Sequence, residues 1–302
     1  MQIISALVCT RNRSASLVRT VRSLLADDSE AFELIIIDQS DGSDSETALA
    51  VFGADPRLRY VRTQARGKGA GLNEGLRLAR GAIVACTDDD CEGPPRWAAE
   101  MARVLEGQPS AAILFCNVIA CEHDRRAGYV PAYERHSDRL LRSVAAARHG
   151  IGLGAGMAVR RQAVLSMGGV DETFGPGSRF ASGDDWDIAL RALLSGWHVY
   201  DTASLSVLHH GFRTFAEGRT HARRDWLAIG AICAKPVRAG HPSGLILALW
   251  YFVGQALWPP IRDVLRLRRP SGGARIAGFA TGFTRGLLTP VDRKTIRFQP
   301  AA

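Results

Sequence analysis

The sequence predicts an α/β fold: a mostly parallel, mixed sheet flanked by helices, with apolar and amphipathic helices at its C-terminal end. Three observations support this. Between residues 3 and 88, four short β-rich runs alternate with segments whose apolar residues recur at helical spacing, as in a doubly wound sheet. Three of those runs end on polar groups, at Thr10 to Arg13, Asp38 and Asp88 to Asp90, and such sheets bind ligands beyond the carboxyl ends of their strands. The chain has 302 residues, 46% of them hydrophobic, enough for one large α/β domain or two modest ones.

In order, IISALVC (3–9) reads as a strand. SASLVRTVRSLLA then reads as a helix, with Leu17, Val18, Val21, Leu24 and Leu25 at helical spacing behind a serine cap. FELIIID (32–38) is a second strand and DSETALAVF a short helix. LRYVRT (58–63) is a third strand, and AGLNEGLRLA a helix with Leu72, Leu76 and Ala79 on one face. AIVACT (82–87) is a fourth strand leading into the aspartate triplet. Beyond it come a helix at 95–107, a strand at 111–121, a short strand and helix over GAGMAVRRQAVLSM, and a Gly-rich loop opening an acidic helix near 184. Two separate strands, ending at Tyr200 and at His209–His210, complete this part.

Charge is unevenly placed. Residues 1–210 carry 23 Lys and Arg against 26 Asp and Glu, whereas residues 211–302 carry 15 against 4. A near-neutral body with a basic tail predicts that the tail meets an anionic surface. Residues 244–261 lie in an uncharged stretch between Arg238 and Arg262, but its continuous apolar part is shorter than the ~20 residues a spanning helix needs. Further on, Ile276, Phe279, Phe283 and Leu287 stand opposite Arg275 and Arg285, the pattern of a helix lying in a membrane interface. Residues 240–302 are therefore expected to form a membrane-surface platform, and no nucleic-acid partner is expected. Gly278, Gly282 and Gly286, at four-residue steps, hint at close helix packing. The six cysteines form no C-x-x-C pair, and the N-terminus lacks a basic region followed by a cleavage site. A cytoplasmic chain bound peripherally to the inner face of the cell membrane is the expectation.

Three constellations carry chemistry. Asp88 and Asp90 share one face if the chain stays extended, and paired carboxylates at a strand end are costly unless a cation joins them. Mg²⁺ or Mn²⁺ suits such oxygen ligands together with substrate phosphates, although an acidic turn accounts for the triplet equally well. Asp184 and Asp185 sit where a helix starts. Capping alone explains them, while the helix dipole would lower the pKa of such an acid and keep it ionised as a proton acceptor. His209 and His210 close an apolar strand, so one should face the crevice and complete a metal shell. The loop ARGKGAGLNEGL (65–76) departs from the dinucleotide fingerprint because Leu72 stands where glycine is required. Lys68 and free backbone N–H groups there could still touch a diphosphate.

Taken together, VCTRNR, IIIDQS, LNEGLRLARGAIVACTDDD, GAGMAVRRQAVLSMGGVDETFGPGS, GDDWDIALRALLSGWHV and VLHHG resemble, in order and spacing, the family-2 glycosyltransferases of GT-A fold over roughly residues 1–215. The resemblance implies a Rossmann-like catalytic domain (1–215) with a nucleotide-sugar half to about 110 and an acceptor half from 111, followed by a basic helical region (216–302). It implies inverting transfer of a sugar from a UDP-, dTDP- or GDP-linked donor to a hydroxyl of a glycan or lipid-linked acceptor, in polysaccharide or glycolipid assembly. Asp88–Asp90 match the D-x-D motif, with Asp90 on the metal and Asp88 on the metal or ribose, and His209 matches the metal-binding histidine. Asp185 matches the general base. Thr10, Arg11, Asn12, Arg13 and Asp38 match the segments that hold base and ribose, and Gly154 to Gly156 the strip beside the acceptor. Lys68, Asn73, Asp89, Asp184 and Trp186 are counted with the substrate-binding positions. The pattern departs at Leu72 and at Gln39.

Two rival classes remain at this stage. A D-x-D phosphohydrolase would place its nucleophile after the first strand, not the fourth. A membrane-associated scaffold or nucleotide-binding protein would use the same acids only as helix caps.

Overall fold

The computed structural model describes residues 3–29, 31–53, 55–269 and 272–299. Strand β1 (Ile4–Thr10) leads through helix α1 (Ser14–Leu25) to β2 (Phe32–Asp38), then α2 (Asp44–Leu49), β3 (Leu58–Arg62), α3 (Lys68–Leu78) and β4 (Ile83–Asp88). These four strands are parallel and lie in the order β3-β2-β1-β4, so strand order reverses between β1 and β4 and a crevice opens beyond their carboxyl ends. The glycines of α3 are explained by packing. A Cβ at Gly75 would come within 2.2 Å of Leu7 Cδ1, and one at Gly71 within 3.0 Å of Cys9 Sγ, so small residues let the helix lie directly on β1.

The chain continues through β5 (Cys91–Glu92), α4 (Trp97–Glu106), β6 (Ala111–Ala120), β7 (Gly128–Tyr129), β8 (Arg139–Leu141), β9 (Met157–Arg160), α5 (Arg161–Ser166), α6 (Asp184–Leu194) and β10 (His198–His209). Strand β9 runs antiparallel between β4 and β6, and β10 joins β6 in parallel, which makes the sheet mixed. The sequence suggests two strands between Trp197 and His210, but β10 is a single strand with a register shift between Asp201 and Ser206. The polar stretch does not break it because the buried Asp201 carboxylate accepts hydrogen bonds from Arg139 Nε and Tyr133 Oη, both at 2.9 Å.

After β11 (Arg213–Thr214), a capping box formed by Thr214 and Glu217 starts the long helix α7 (Phe215–Ala239). Then α8 (Ser243–Leu249), a π-helical segment (Trp250–Leu257) and α9 (Trp258–Leu265) form one continuous helix. Helix α10 (Gly273–Leu288) and a hairpin of β12 (Val291–Asp292) and β13 (Arg297–Phe298) follow. Gly278, Gly282 and Gly286 form a seam on which α10 runs parallel to α7. A Cβ at Gly282 would reach 1.9 Å from Leu227 O. One expectation fails here. The apolar face of α10 is no membrane surface, because Phe279 is buried among Trp226, Phe252 and Phe283. Spacing shows that a face is apolar but not what covers it.

Residues beyond 215 belong to the main core: Ala228, Ala231, Ile232 and Cys233 share one apolar cluster with Leu7, Ile35 and Phe115. A buried ion network joins the same pieces. Lys235 Nζ donates to Asp171 Oδ2 (2.6 Å) and to Asp187, whose other oxygen accepts from Arg191 Nε at 2.9 Å. The ammonium also lies 4.6 Å from the centre of the Phe174 ring and 4.9 Å from that of Phe298. Helices α6 and α7 and the C-terminal hairpin are thereby pinned to the loop after α5.

Candidate active site

A cavity of about 520 Å³ opens at the switch point, and Thr10, Arg11, Arg13, Lys68, Asp88, Asp89, Asp90 and His209 all line it. The extended chain ends at Asp88. Asp89 and Asp90 occupy a turn, so the three carboxylates diverge and each meets a different partner. Asp88 is paired with Lys68. Asp89 accepts from Thr10 Oγ1 and from Arg13 Nη1, both at 2.7 Å. Asp90 accepts from Arg13 Nη1 at 2.9 Å and lies 3.4 Å from His209 Nε2. Burial alone would raise Asp90, but His209 and Arg13 outweigh it and hold its carboxyl at about 2.

His209 is the histidine that faces the cavity; His210 turns away to Glu92, at 2.6 Å. The carbonyl of Pro131 accepts a hydrogen bond from His209 Nδ1 at 2.8 Å, so Nε2 is the ring nitrogen that faces Asp90. Gly211 keeps this space open, since a Cβ there would sit 2.5 Å from His209 Nε2 and 3.0 Å from Asp90 Oδ2. An anionic oxygen, an imidazole nitrogen and a cradle that only glycine leaves free fit a divalent cation. Cys91 is close by, but burial raises its thiol pKa well above the usual value and keeps it protonated.

Lys68 connects this cluster to the second acidic pair. Burial would lower its pKa, yet Asp88 and then Asp184, with Asp185 further, outweigh that and keep it charged. Asp185 opens α6. Its Oδ2 accepts from Gly154 N and its Oδ1 from Trp186 N, both at 2.7 Å. The expected downward shift of this acid is not found. Burial, then the neighbouring Asp184 charge, push Asp185 up to about 6 against the pull of Lys68 and the two N–H groups. Asp184 is raised by burial as well. In a buried pair, desolvation and mutual repulsion exceed what a helix terminus supplies.

Several predicted positions do other work. Asp38 is fully buried and accepts from Tyr60 Oη (2.6 Å) and Ser40 N (2.8 Å), and it does not line the cavity. Asn12 exchanges hydrogen bonds with Asp41. Asn73 donates to Val170 O and Glu172 and accepts from Val170 N, which locks α3 to the 170–172 loop. Gly156 packs on Cys116, where a Cβ would reach 2.8 Å from Sγ, while Gly154 serves through its N–H to Asp185. Trp186 packs edge-on against Tyr251 at 5.0 Å. The Lys68 backbone N–H is not free, since it donates to Pro176 O at 3.0 Å. Gln39, where the sequence departs from the family pattern, lines the cavity, whereas sequence reasoning missed Gly211, Arg213 and His221 in its wall. Only Gly211, next to the histidine pair, carried a local signal.

Residues 5–167, more than half of the chain, match the family described as Glycosyl transferase family 2. The chain belongs to that family. As a family 2 member it is 25% identical over 184 residues to a glucosyl-dolichyl phosphate glucuronosyltransferase of Haloferax volcanii, covering 57% of each protein. It is 26% identical over 234 residues to a beta-monoglucosyldiacylglycerol synthase of Trichormus variabilis, covering 75% of this chain and 48% of that one. The chain thus spans about half the length of these curated relatives. Its fold is that of a mannosyltransferase of Pyrobaculum calidifontis solved with GDP-Man and Mn²⁺, with TM-score 0.61, 16% identity and coverage of 95% and 87%. It is also that of S. aureus TarS residues 1–349, with TM-score 0.62, 12% identity and coverage of 94% and 90%. The GT-A fold expected from the sequence is the fold observed.

Proposed function

We propose that this family 2 protein is an inverting glycosyltransferase that moves a sugar from a nucleotide diphosphate donor to a hydroxyl of a glycan or lipid-linked acceptor. The observation that carries the reading is the placement of Lys68, which pairs with Asp88 at the end of β4 and meets Asp185 of α6 around Gly154, where a Cβ would lie 3.5 Å from Lys68 Nζ and 3.4 Å from Asp185 Oδ2. In this reading the donor diphosphate occupies the cavity beside Lys68 and Arg13, while Asp185 takes the proton of the attacking hydroxyl. Gly154 N–H and Trp186 N–H aim the carboxylate. Direct displacement inverts the anomeric centre and needs no enzyme nucleophile.

Asp90 and His209 would hold a divalent cation, whose chemistry when bound is to neutralise charge growing on the departing diphosphate. A carboxylate with an imidazole suits Mn²⁺ better than the all-oxygen shell that Mg²⁺ favours. The relatives' names support a donor of the nucleotide-sugar class and a lipid-linked acceptor. Membrane attachment is part of the proposal, supported by the helix Ser243–Leu265, which is long and apolar enough to cross a bilayer by length and composition.

Asp90→Ala is expected to abolish Mn²⁺-dependent binding of the donor nucleotide, measured calorimetrically with and without the metal. Unchanged metal-dependent binding would remove Asp90 from the shell. A pH profile tests the base. Asp185 titrates near 6 and must be ionised to accept a proton, so kcat/KM is expected to fall about tenfold per unit as pH drops below ~6. A profile flat from about pH 4.5 to 7.5 would move the base elsewhere.

A further inference from the structure

Of sixteen large apolar side chains exposed among the described residues, ten fall between Leu245 and Leu267. Ile246, Leu249 and Leu265 are 66%, 64% and 71% exposed. Their arrangement depends on the π-helical segment. An α-helix advances about 100° per residue, and a π turn of ~4.4 residues only about 82°. Over the eight residues Trp250–Leu257 the lag reaches roughly 140°. In unbroken α geometry, Trp258, Ile261 and Leu265 would on average be turned roughly 150° away from Leu245, Leu249 and Val253, and Ala256 would point outward with the first group. The lag brings both apolar groups onto one exposed face and returns Ala256, fully buried, to the packed side.

That packed side is sealed against the catalytic domain. Leu247 is buried, Phe252 packs at a tilt against Phe279 of α10 with ring centres 5.4 Å apart, and Tyr251 meets Trp186, the residue after Asp185. A helix held this way cannot cross a bilayer without drawing the polar domain into hydrocarbon. At its end stand Arg262, Arg266, Arg268 and Arg269, with one acid, Asp263, among them.

We propose that the face from Leu245 to Leu265 docks flat on an anionic lipid bilayer, with the arginines at lipid headgroups, and that it seats the acceptor side of the site on the membrane. The second part rests on the transferase reading with a lipid-linked acceptor; the docking face does not. Apolar burial from one side of a helix and basic residues beside it give interfacial binding that anionic lipid strengthens.

The test uses the full chain with vesicles of phosphatidylcholine, with and without phosphatidylglycerol. The protein is expected to sediment with the anionic vesicles, to be released by alkaline carbonate, and to lose at least ~10-fold in partition as the Val253→Glu, Leu265→Glu double variant. Both positions are exposed, so the variant should keep the parent's circular dichroism and melting temperature. Equal sedimentation of parent and variant would overturn the docking face, and a parent retained in the pellet after carbonate would show a span. Release of nucleoside diphosphate from donor is measured separately, without vesicles. Vesicle binding without any such release would support the face while sinking the transferase reading.

Discussion

Asp185→Asn is expected to lower the transfer rate by about 10²–10⁴-fold, the usual share of a positioned general base, while donor affinity stays within a few-fold. The asparagine is nearly isosteric and its one carbonyl oxygen can still accept from Gly154 N, at the expense of the bond from Trp186 N. What disappears is the proton acceptor. The split between kcat and donor binding is the informative quantity, because Asp185 lies beyond the cavity wall that receives the nucleotide in our reading. Calorimetry with the donor and Mn²⁺, beside a rate assay for nucleoside diphosphate, reads both. A large loss of donor affinity with modest loss of rate would make Asp185 structural.

The largest effect on stability is expected from Lys235→Met. The ammonium is 99% buried, as are its partners Asp171 and Asp187, so its removal leaves Asp171 without a cation and Asp187 with Arg191 alone. Breaking a buried pair from one side costs about 3–5 kcal/mol, read as a lower midpoint in urea. Asp171→Asn should cost less, since Lys235 keeps Asp187. Acid should act in the same direction. Burial would raise Asp171, but Lys235 outweighs it and holds the carboxyl at about 2, below its unfolded value. Its contribution is therefore complete above the unfolded pKa and lost as pH falls from about 4 toward 2. If Lys235→Met unfolds at the same urea concentration as the parent, the network is not a principal clamp between α6 and α7.

Neither the lysine nor its role was legible in the sequence. Lys235 lies 48 residues from Asp187 and 64 from Asp171, in a stretch that reads as an ordinary helix. The aspartates at the end of β4 were legible, because a strand's end is marked by its own apolar run. Asn73 looked like a substrate residue and proved to hold a loop about 97 residues away in sequence. Gly278, Gly282 and Gly286 were readable as a packing seam because close approach leaves a periodic trace, whereas their partner, α7, was not.

Local order alone determined the β/α alternation, the acids at the strand ends, the D-x-D and Asp184–Asp185 clusters and the apolar character of the tail. Hydrophobic periodicity and capping act within one or two turns, so the chain writes them openly. Only the tertiary structure decided which cation meets which aspartate, how far burial lifts Asp185, that α7 covers the apolar face of α10, and which side of the helix at 243–265 stays bare. Those outcomes depend on desolvation and on partners far apart in sequence. No spacing rule encodes them.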